Sequence, residues 1–255
     1  MKNTFGSDLS LTIFGESHGR AIGAVLDGMA AGLPVDEAFL AACMDKRRAR
    51  GDGLSTPRVE ADAVQLLSGV VNGRTTGTAI ALMIENTNTR SGDYAKTADL
   101  LRPGHADYTA YAKYHGFQDA RGGGHFSGRV TAALVAGGAI VLSALRRAGI
   151  DITTHIAECA GIADTRFAQD DAAQLSAQVE ALASKPEGFA VLDETVEEPM
   201  KAAIRAAGAD GDSVGGMLET AILGLPAGIG EPYFCLLYTS PSPRDYAASR
   251  MPSSA

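Results

Sequence analysis

The stretch RVTAALVAGGAIVLSALRRA, residues 129–148, decides the fold class. From Val130 to Leu145 it carries no charge, and Val130, Leu134, Val135, Ile140, Val141, Leu142 and Leu145 are spread around the whole circumference of a helix. A helix that is apolar all round has no face to give to water, so it is expected to be buried on every side. The alanines and glycines between its large residues let neighbours come close. This pattern predicts a helix lying in a layer with sheet above and below it.

The flanking sequence supplies the strands. Leu9, Leu11 and Ile13 alternate with Ser10, Thr12 and Phe14, the period of a strand, and a second apolar run covers 21–26. Asp36 is placed as the N-cap of a helix that runs to about Arg48. Residues 64–71 and 78–84 read as strands joined through Asn72-Gly73, a strong hairpin signal. A brief helix is expected at 108–114 and a strand at 150–156. Two more polar helices follow at 168–184 and 197–207, then a strand at 217–225. No internal repeat or interdomain linker interrupts this order. After Phe234 the composition changes to CLLYTSPSPRDYAASRMPSSA, which has neither period. Residues 235–255 therefore read as a flexible tail or as residues foreign to the natural protein, and 1–234 as the folded domain.

The bulk numbers narrow the function. The formal net charge is −8, with a pI near 5.1, which argues against a nucleic-acid coat or a polybasic membrane binder. Any anion site must be a local basic pocket in an acidic body. Cys43, Cys159 and Cys235 are scattered and odd in number, so neither a disulfide framework nor a zinc pattern is expected. The N-terminus lacks a signal-peptide core. The uncharged run 130–145 falls short of the ~20 residues of a membrane helix. A soluble cytoplasmic protein is expected.

Residues 102–129, RPGHADYTAYAKYHGFQDARGGGHFSGR, hold three arginines, three histidines and two glycine-framed turns. Arginine forks bind carboxylate or phosphate, histidine moves protons near neutral pH, and glycine lets backbone N–H groups approach a ligand. Gly122-Gly123-Gly124 precedes the buried helix, so its N–H groups and the helix dipole form a candidate phosphate site. No G-K-[ST] and no G-x-G-x-x-G after a strand is present, which removes nucleotide P-loop and dinucleotide fingerprints. Flavin mononucleotide or another phosphorylated ligand stays open. His105 sits on a turn shaped by Pro103 and Gly104, beside Arg102 and Asp107. His115 and His155 are read as structural. Lys46, Arg47, Arg48 and Arg50 either complement a helix dipole or form an anion clamp. GESHG, residues 15–19, satisfies the G-x-S-x-G pattern of a serine hydrolase with Ser17 as nucleophile. A strand rather than a helix is expected after it, so a tight turn between strands is the stronger reading.

Taken together, GESHG, the Asp45-Lys-Arg-Arg48 run, Leu67-Ser-Gly-Val70, Thr75-Thr-Gly77, RPGHADY, Arg121-Gly-Gly-Gly124, Gly211-Asp-Ser-Val-Gly-Gly216 and Pro226-Ala-Gly-Ile-Gly230 resemble chorismate synthase in order and spacing. The resemblance implies an α+β fold: a β-α-β sandwich with helices buried between two largely antiparallel sheets. It implies a phosphate lyase of aromatic amino-acid biosynthesis that converts 5-enolpyruvylshikimate 3-phosphate to chorismate by 1,4-anti elimination. Reduced FMN is required, in the usual account lending an electron as phosphate leaves, and NADPH is a possible reductant. No nucleic-acid or membrane partner and no metal are implied, and the full-length family protein is expected to be a homotetramer.

By the same resemblance, His18 protonates the departing phosphate and His105 stands beside the reduced flavin. Arg47, Arg48, Arg102 and Arg129 surround the substrate's phosphate and carboxylates. His125, Phe126 and Ser127 match the segment that touches FMN, although the commoner family text there is arginine-serine-serine-alanine. The family continues well beyond Glu231-Pro-Tyr-Phe234, with further flavin contacts and an aspartate implicated in proton removal. The chain is therefore expected to be a fragment that binds FMN poorly and does not turn over. A phosphate-binding module without chemistry is the alternative, and a serine hydrolase using Ser17 the more distant one.

Overall fold

The computed structural model describes residues 3–49, 51, 53–54, 60–87, 100–185 and 189–230; the tail expected at 235–255 lies outside them. In chain order the elements are β1 (Thr4–Phe5), β2 (Ser10–Gly15), β3 (Ala21–Asp27), α1 (Glu37–Arg47), β4 (Val64–Leu66), β5 (Val70–Val71), β6 (Arg74–Thr75), β7 (Ile80–Glu85), α2 (Asp107–Tyr114), α3 (Thr131–Arg147), β8 (Asp151–Cys159), β9 (Ile162–Ala163), α4 (Ala172–Ser184), α5 (Glu197–Ala209) and β10 (Gly216–Leu223).

A five-stranded antiparallel sheet has the order β1-β2-β3-β7-β4. The pleat sends Ile22, Ala24 and Leu26 of β3 and Ile80, Leu82 and Ile84 of β7 to one face, where all six are buried. Each wholly buried isoleucine or leucine there contributes about 1.5–3 kcal/mol. Helix α3 lies on that face through Ala132, Ala133, Ala136, Ala139 and Ile140. A Cβ on Gly137 would sit 2.7 Å from Leu11 Cδ1 of β2, so this glycine sets how closely helix and sheet approach. Asp36 caps α1 as expected, its Oδ1 accepting the Phe39 N–H at 2.9 Å, and α1 packs beside α3.

A second antiparallel sheet, β10-β8-β9, carries α4 and α5, and α3 also touches β8. The α+β architecture with antiparallel sheets on either side of α3 is thus as expected. The burial of α3 is less complete than its composition predicts: Leu134 is 51% exposed, because the three-stranded sheet leaves that stripe uncovered among the described residues. Together with the turn before it, the helix at Gly128–Arg147 is 20 residues, long and apolar enough to cross a membrane, contrary to the count from the uncharged run alone. Its alanine face lies on the sheet, as in a core helix.

The Asn72-Gly73 turn forms, but it closes a small ribbon of β5 and β6 with Val71 opposite Arg74. The longer strands on either side pair independently, Val64 with Ile84 and Leu66 with Leu82. The predicted single hairpin is therefore two nested ones. The sheet register is set by the buried Leu82 and the partly buried Leu66 opposite it rather than by the turn.

Candidate functional site

Two turns lock together at one end of the five-stranded sheet. The first, GESHG, links β2 to β3, starting from Gly15 at φ +93°. The second is the RGGGH run. The Ser17 N–H donates to the Gly124 carbonyl at 3.0 Å, and His125 donates from Nδ1 to the Gly15 carbonyl at 2.8 Å. Asn86, just past β7, donates from its side-chain amide to the Glu16 and Gly19 carbonyls at 3.0 and 2.9 Å. The half-buried His18 ring rests on Gly122: a Cβ there would lie 2.5 Å from His18 Cε1, and φ is +58°. Glycine is needed at this position on both counts. The Ser17 hydroxyl lies 3.0 Å from His18 Nδ1 and orients the ring so that Nε2 is its other polar edge. An open cleft of about 680 Å³ begins at His18 and is bordered by Arg20, Met83, Glu85 and Asn86.

Arginines surround the paired turns. Arg102 grips Asp107 with Nε and Nη2 at 2.8 and 3.0 Å and also donates to the Gly122 carbonyl, which draws the RPGHAD turn onto the glycine run. The Arg102 hydrogen bond holds the Asp107 carboxyl below the usual carboxylate range. Arg129 is buried. It donates from Nε to Asn86 Oδ1 at 3.0 Å, from Nη1 to Asp62 and from Nη2 to the Glu85 carbonyl at 3.3 Å. Arg47 reaches the other oxygen of Asp62 at 2.9 Å and the Gly128 carbonyl at 3.0 Å. The Arg47 Nε–H is buried with no partner among the described residues, an omission that costs about 1–3 kcal/mol in a folded protein.

The residues expected to carry the site do not all meet. His18, Arg102, His125, Arg129 and Arg47 are linked through the two turns and Asp62. His105 is exposed on the turn after Arg102, its N–H donating to the Arg102 carbonyl at 3.2 Å. Arg48 pairs with Asp45 at 2.9 Å and borders a separate cleft of about 610 Å³ that also contains Lys46, Arg47, Arg146, Lys185 and Lys201. Phe126 is half-exposed, its ring 5.9 Å from that of Tyr114. Ser127 accepts the Arg129 N–H at 3.2 Å. The glycine run is not at the helix N-terminus: two short 3-10 turns, Gly124–Phe126 and Gly128–Val130, separate it from Thr131, where α3 begins. Its Gly122 faces the GESHG turn instead, while Gly124 packs on Asp119. His115 takes the left-handed C-cap of α2 at φ +56°, a structural role.

Asp62, Asn86 and Glu60 were not found by sequence reasoning. Glu60 is buried and accepts the Thr87 N–H and hydroxyl at 3.2 and 2.9 Å, which seats the segment carrying Asp62 against Asn86. The one available signal was an acidic pair, Glu60 and Asp62, leading into an apolar strand.

The arrangement defines a class before it defines a family: an α+β sandwich whose strand turn and glycine run hold a histidine among arginines, suited to an anion that is to be protonated. A family model described as chorismate synthase matches residues 9–240. The chorismate synthases of Sulfurovum sp. (strain NBC37-1) and Sulfurimonas denitrificans are 46% and 44% identical over 232 residues, covering 91% of this chain and 61% of each relative. A solved structure described as a crystal structure of chorismate synthase superposes with a TM-score of 0.67 at 27% identity, over 88% of this chain and 60% of that one. The chain belongs to the chorismate synthase family, a family of lyases of aromatic amino-acid biosynthesis, and spans about 61% of the length of these curated relatives.

The family implies reduced flavin and a polyanionic substrate. The residues fit an anionic group: two guanidinia share one carboxylate, the buried Arg47 Nε–H has no partner among the described residues, and an open cleft begins at His18.

Proposed function

We propose that this chain carries the substrate-anion half of a chorismate synthase site. The reaction is the 1,4-anti elimination of phosphate from 5-enolpyruvylshikimate 3-phosphate, which breaks a C–O bond to phosphate and a ring C–H bond and forms the second ring double bond of chorismate. The observation that supports this reading is a chain of contacts: Arg102 donates to the carbonyl of Gly122, on which His18 rests, Arg129 reaches the GESHG turn through Asn86, and Arg47 joins Arg129 through Asp62. His18, held at Nδ1 by Ser17, gives its proton to the departing phosphate. Arg47, Arg102 and Arg129, with Arg48 at the rim, hold phosphate and carboxylates and stabilise the charge that develops as the C–O bond breaks. His105 stands beside the flavin, and His125, Phe126 and Ser127 border it. Reduced FMN, when bound, supplies the transient electron that assists phosphate loss. NADPH as reductant, a homotetramer and a cytoplasmic location complete the reading for the full-length protein.

The chain by itself is expected to bind 5-enolpyruvylshikimate 3-phosphate, bind FMN poorly and form no chorismate. Calorimetric titration with the substrate, and a chorismate assay with FMN under reducing conditions, test this. Loss of substrate binding in Arg129→Ala with binding kept in His18→Ala supports the assigned roles. No binding by the unmodified chain would remove the site, and chorismate formation would refute the expected inactivity.

The Ser17–His18 contact is the one observation that favours a hydrolase. Ser17 is 1% exposed and a strand follows the turn, so its hydroxyl is closed to an acyl substrate. Esterase activity that disappears in Ser17→Ala would reverse this judgement.

A further inference from the structure

We infer that Asp62 is a positioning residue that joins Arg47 and Arg129 into a single anion clamp. The inference rests on the anion-binding reading of those two arginines. The Asp62 side chain is only 2% exposed, and its two oxygens are divided between the guanidinia, Oδ2 to Arg47 and Oδ1 to Arg129. Its backbone takes φ +51°, in the left-handed region where aspartate is enriched among non-glycine residues. Two residues before it, Glu60 accepts the Thr87 N–H and hydroxyl and anchors the segment.

Two like charges brought together in a partly dry site repel. A carboxylate between them offsets one charge and sets both guanidinium planes, while the group as a whole stays positive. Arg129 is further held by Asn86 and the Glu85 carbonyl, and Arg47 by the Gly128 carbonyl. What remains is the buried Arg47 Nε–H, which has no partner among the described residues. The clamp thus carries an oriented donor for an oxygen of a phosphate or carboxylate. No carboxylate is needed for that donor to exist, but one is needed to aim it.

The sign of one substitution separates positioning from simple charge balance. Removing a negative charge beside an anion site raises its positive potential, so charge alone predicts that Asp62→Asn binds anions more tightly. Positioning predicts the reverse, a loss of about tenfold, within the coupling range of contacting residues. The probe is inorganic phosphate, titrated calorimetrically into the unmodified chain and into the folded variant at fixed ionic strength. Weaker binding supports the clamp, and equal or tighter binding overturns it while leaving the anion site intact. If the unmodified chain takes up no phosphate, the site reading itself falls and the clamp with it. Should Asp62→Asn fail to fold, nitrogen-15 spectra of the unmodified chain decide. The Arg47 Nε–H resonance, identified by its disappearance in Arg47→Lys, is expected to shift on adding phosphate. A resonance that stays still while phosphate binds overturns the proposal.

Discussion

Among the described residues, two buried charge networks of opposite make-up stand one on each sheet. Beside the five-stranded sheet, one carboxylate, Asp62, lies between Arg47 and Arg129. In the three-stranded sheet, one imidazole, His155, lies between Asp164 at 2.8 Å and Glu219 at 3.0 Å. The second network is saturated. Asp164 also accepts the N–H groups of Leu192 and Asp193, Glu219 accepts that of Phe167, and the Phe167 ring stands edge-on to His155 at 4.6 Å. Burial pushes the Asp164 and Glu219 carboxyls up, but backbone donors and His155 more than offset it and hold both below their ordinary values. The arginine network retains a donor without a partner among the described residues and is joined to the GESHG turn through Asn86. Saturation marks the charge cluster that holds a sheet together, and unused capacity marks the one that can take a ligand.

Substitutions can break this contrast or sharpen it. The largest effect is expected from Arg129→Ala, which removes the buried guanidinium from Asp62 Oδ1 and Asn86 Oδ1 and leaves Asp62 with Arg47 alone. A loss of about 3–5 kcal/mol in urea unfolding should accompany loss of detectable phosphate binding. His155→Leu should cost less, about 1–3 kcal/mol, because Asp164 keeps its two backbone donors, and phosphate affinity should not change. If His155→Leu weakens phosphate binding, the division between holding and binding networks fails. Gly122→Ala should cost about 1–2 kcal/mol in left-handed strain. It should also displace the His18 ring, seen as shifted imidazole resonances and weaker phosphate uptake.

The smallest expected effect appears only in acid. Because the folded carboxyls of Asp164 and Glu219 are depressed, their contribution is complete above the ordinary carboxylate range. It is lost as pH falls through their lowered values, below about pH 4. Urea midpoints of the unmodified chain should fall across that window, and those of Asp164→Asn should fall less steeply.

Much of this was legible in the chain. The alternation in residues 9–14 became β2, the Asp36 cap became the start of α1, and the apolar stretch became α3. These are local signals, set by side-chain period and capping over a few residues. The nested hairpins at Asn72-Gly73 were missed because turn chemistry names a turn without saying which strands it joins. One nitrogen of His125 is held by the Gly15 carbonyl, a partner 110 residues away that no local signal announces. Asp62 carried no motif at all.

By itself the sequence determined most of the elements, a buried central helix and the residue types of an anion-and-proton site, because period, caps and glycine turns act within a few residues; the antiparallel α+β class came from the resemblance of the motifs to a family. Only the tertiary structure decided which charges are already spent. Asp62 meets Arg47 across 15 residues and Arg129 across 67. A charged group's free capacity depends on who else reaches it, and that is settled when strands and helices pack.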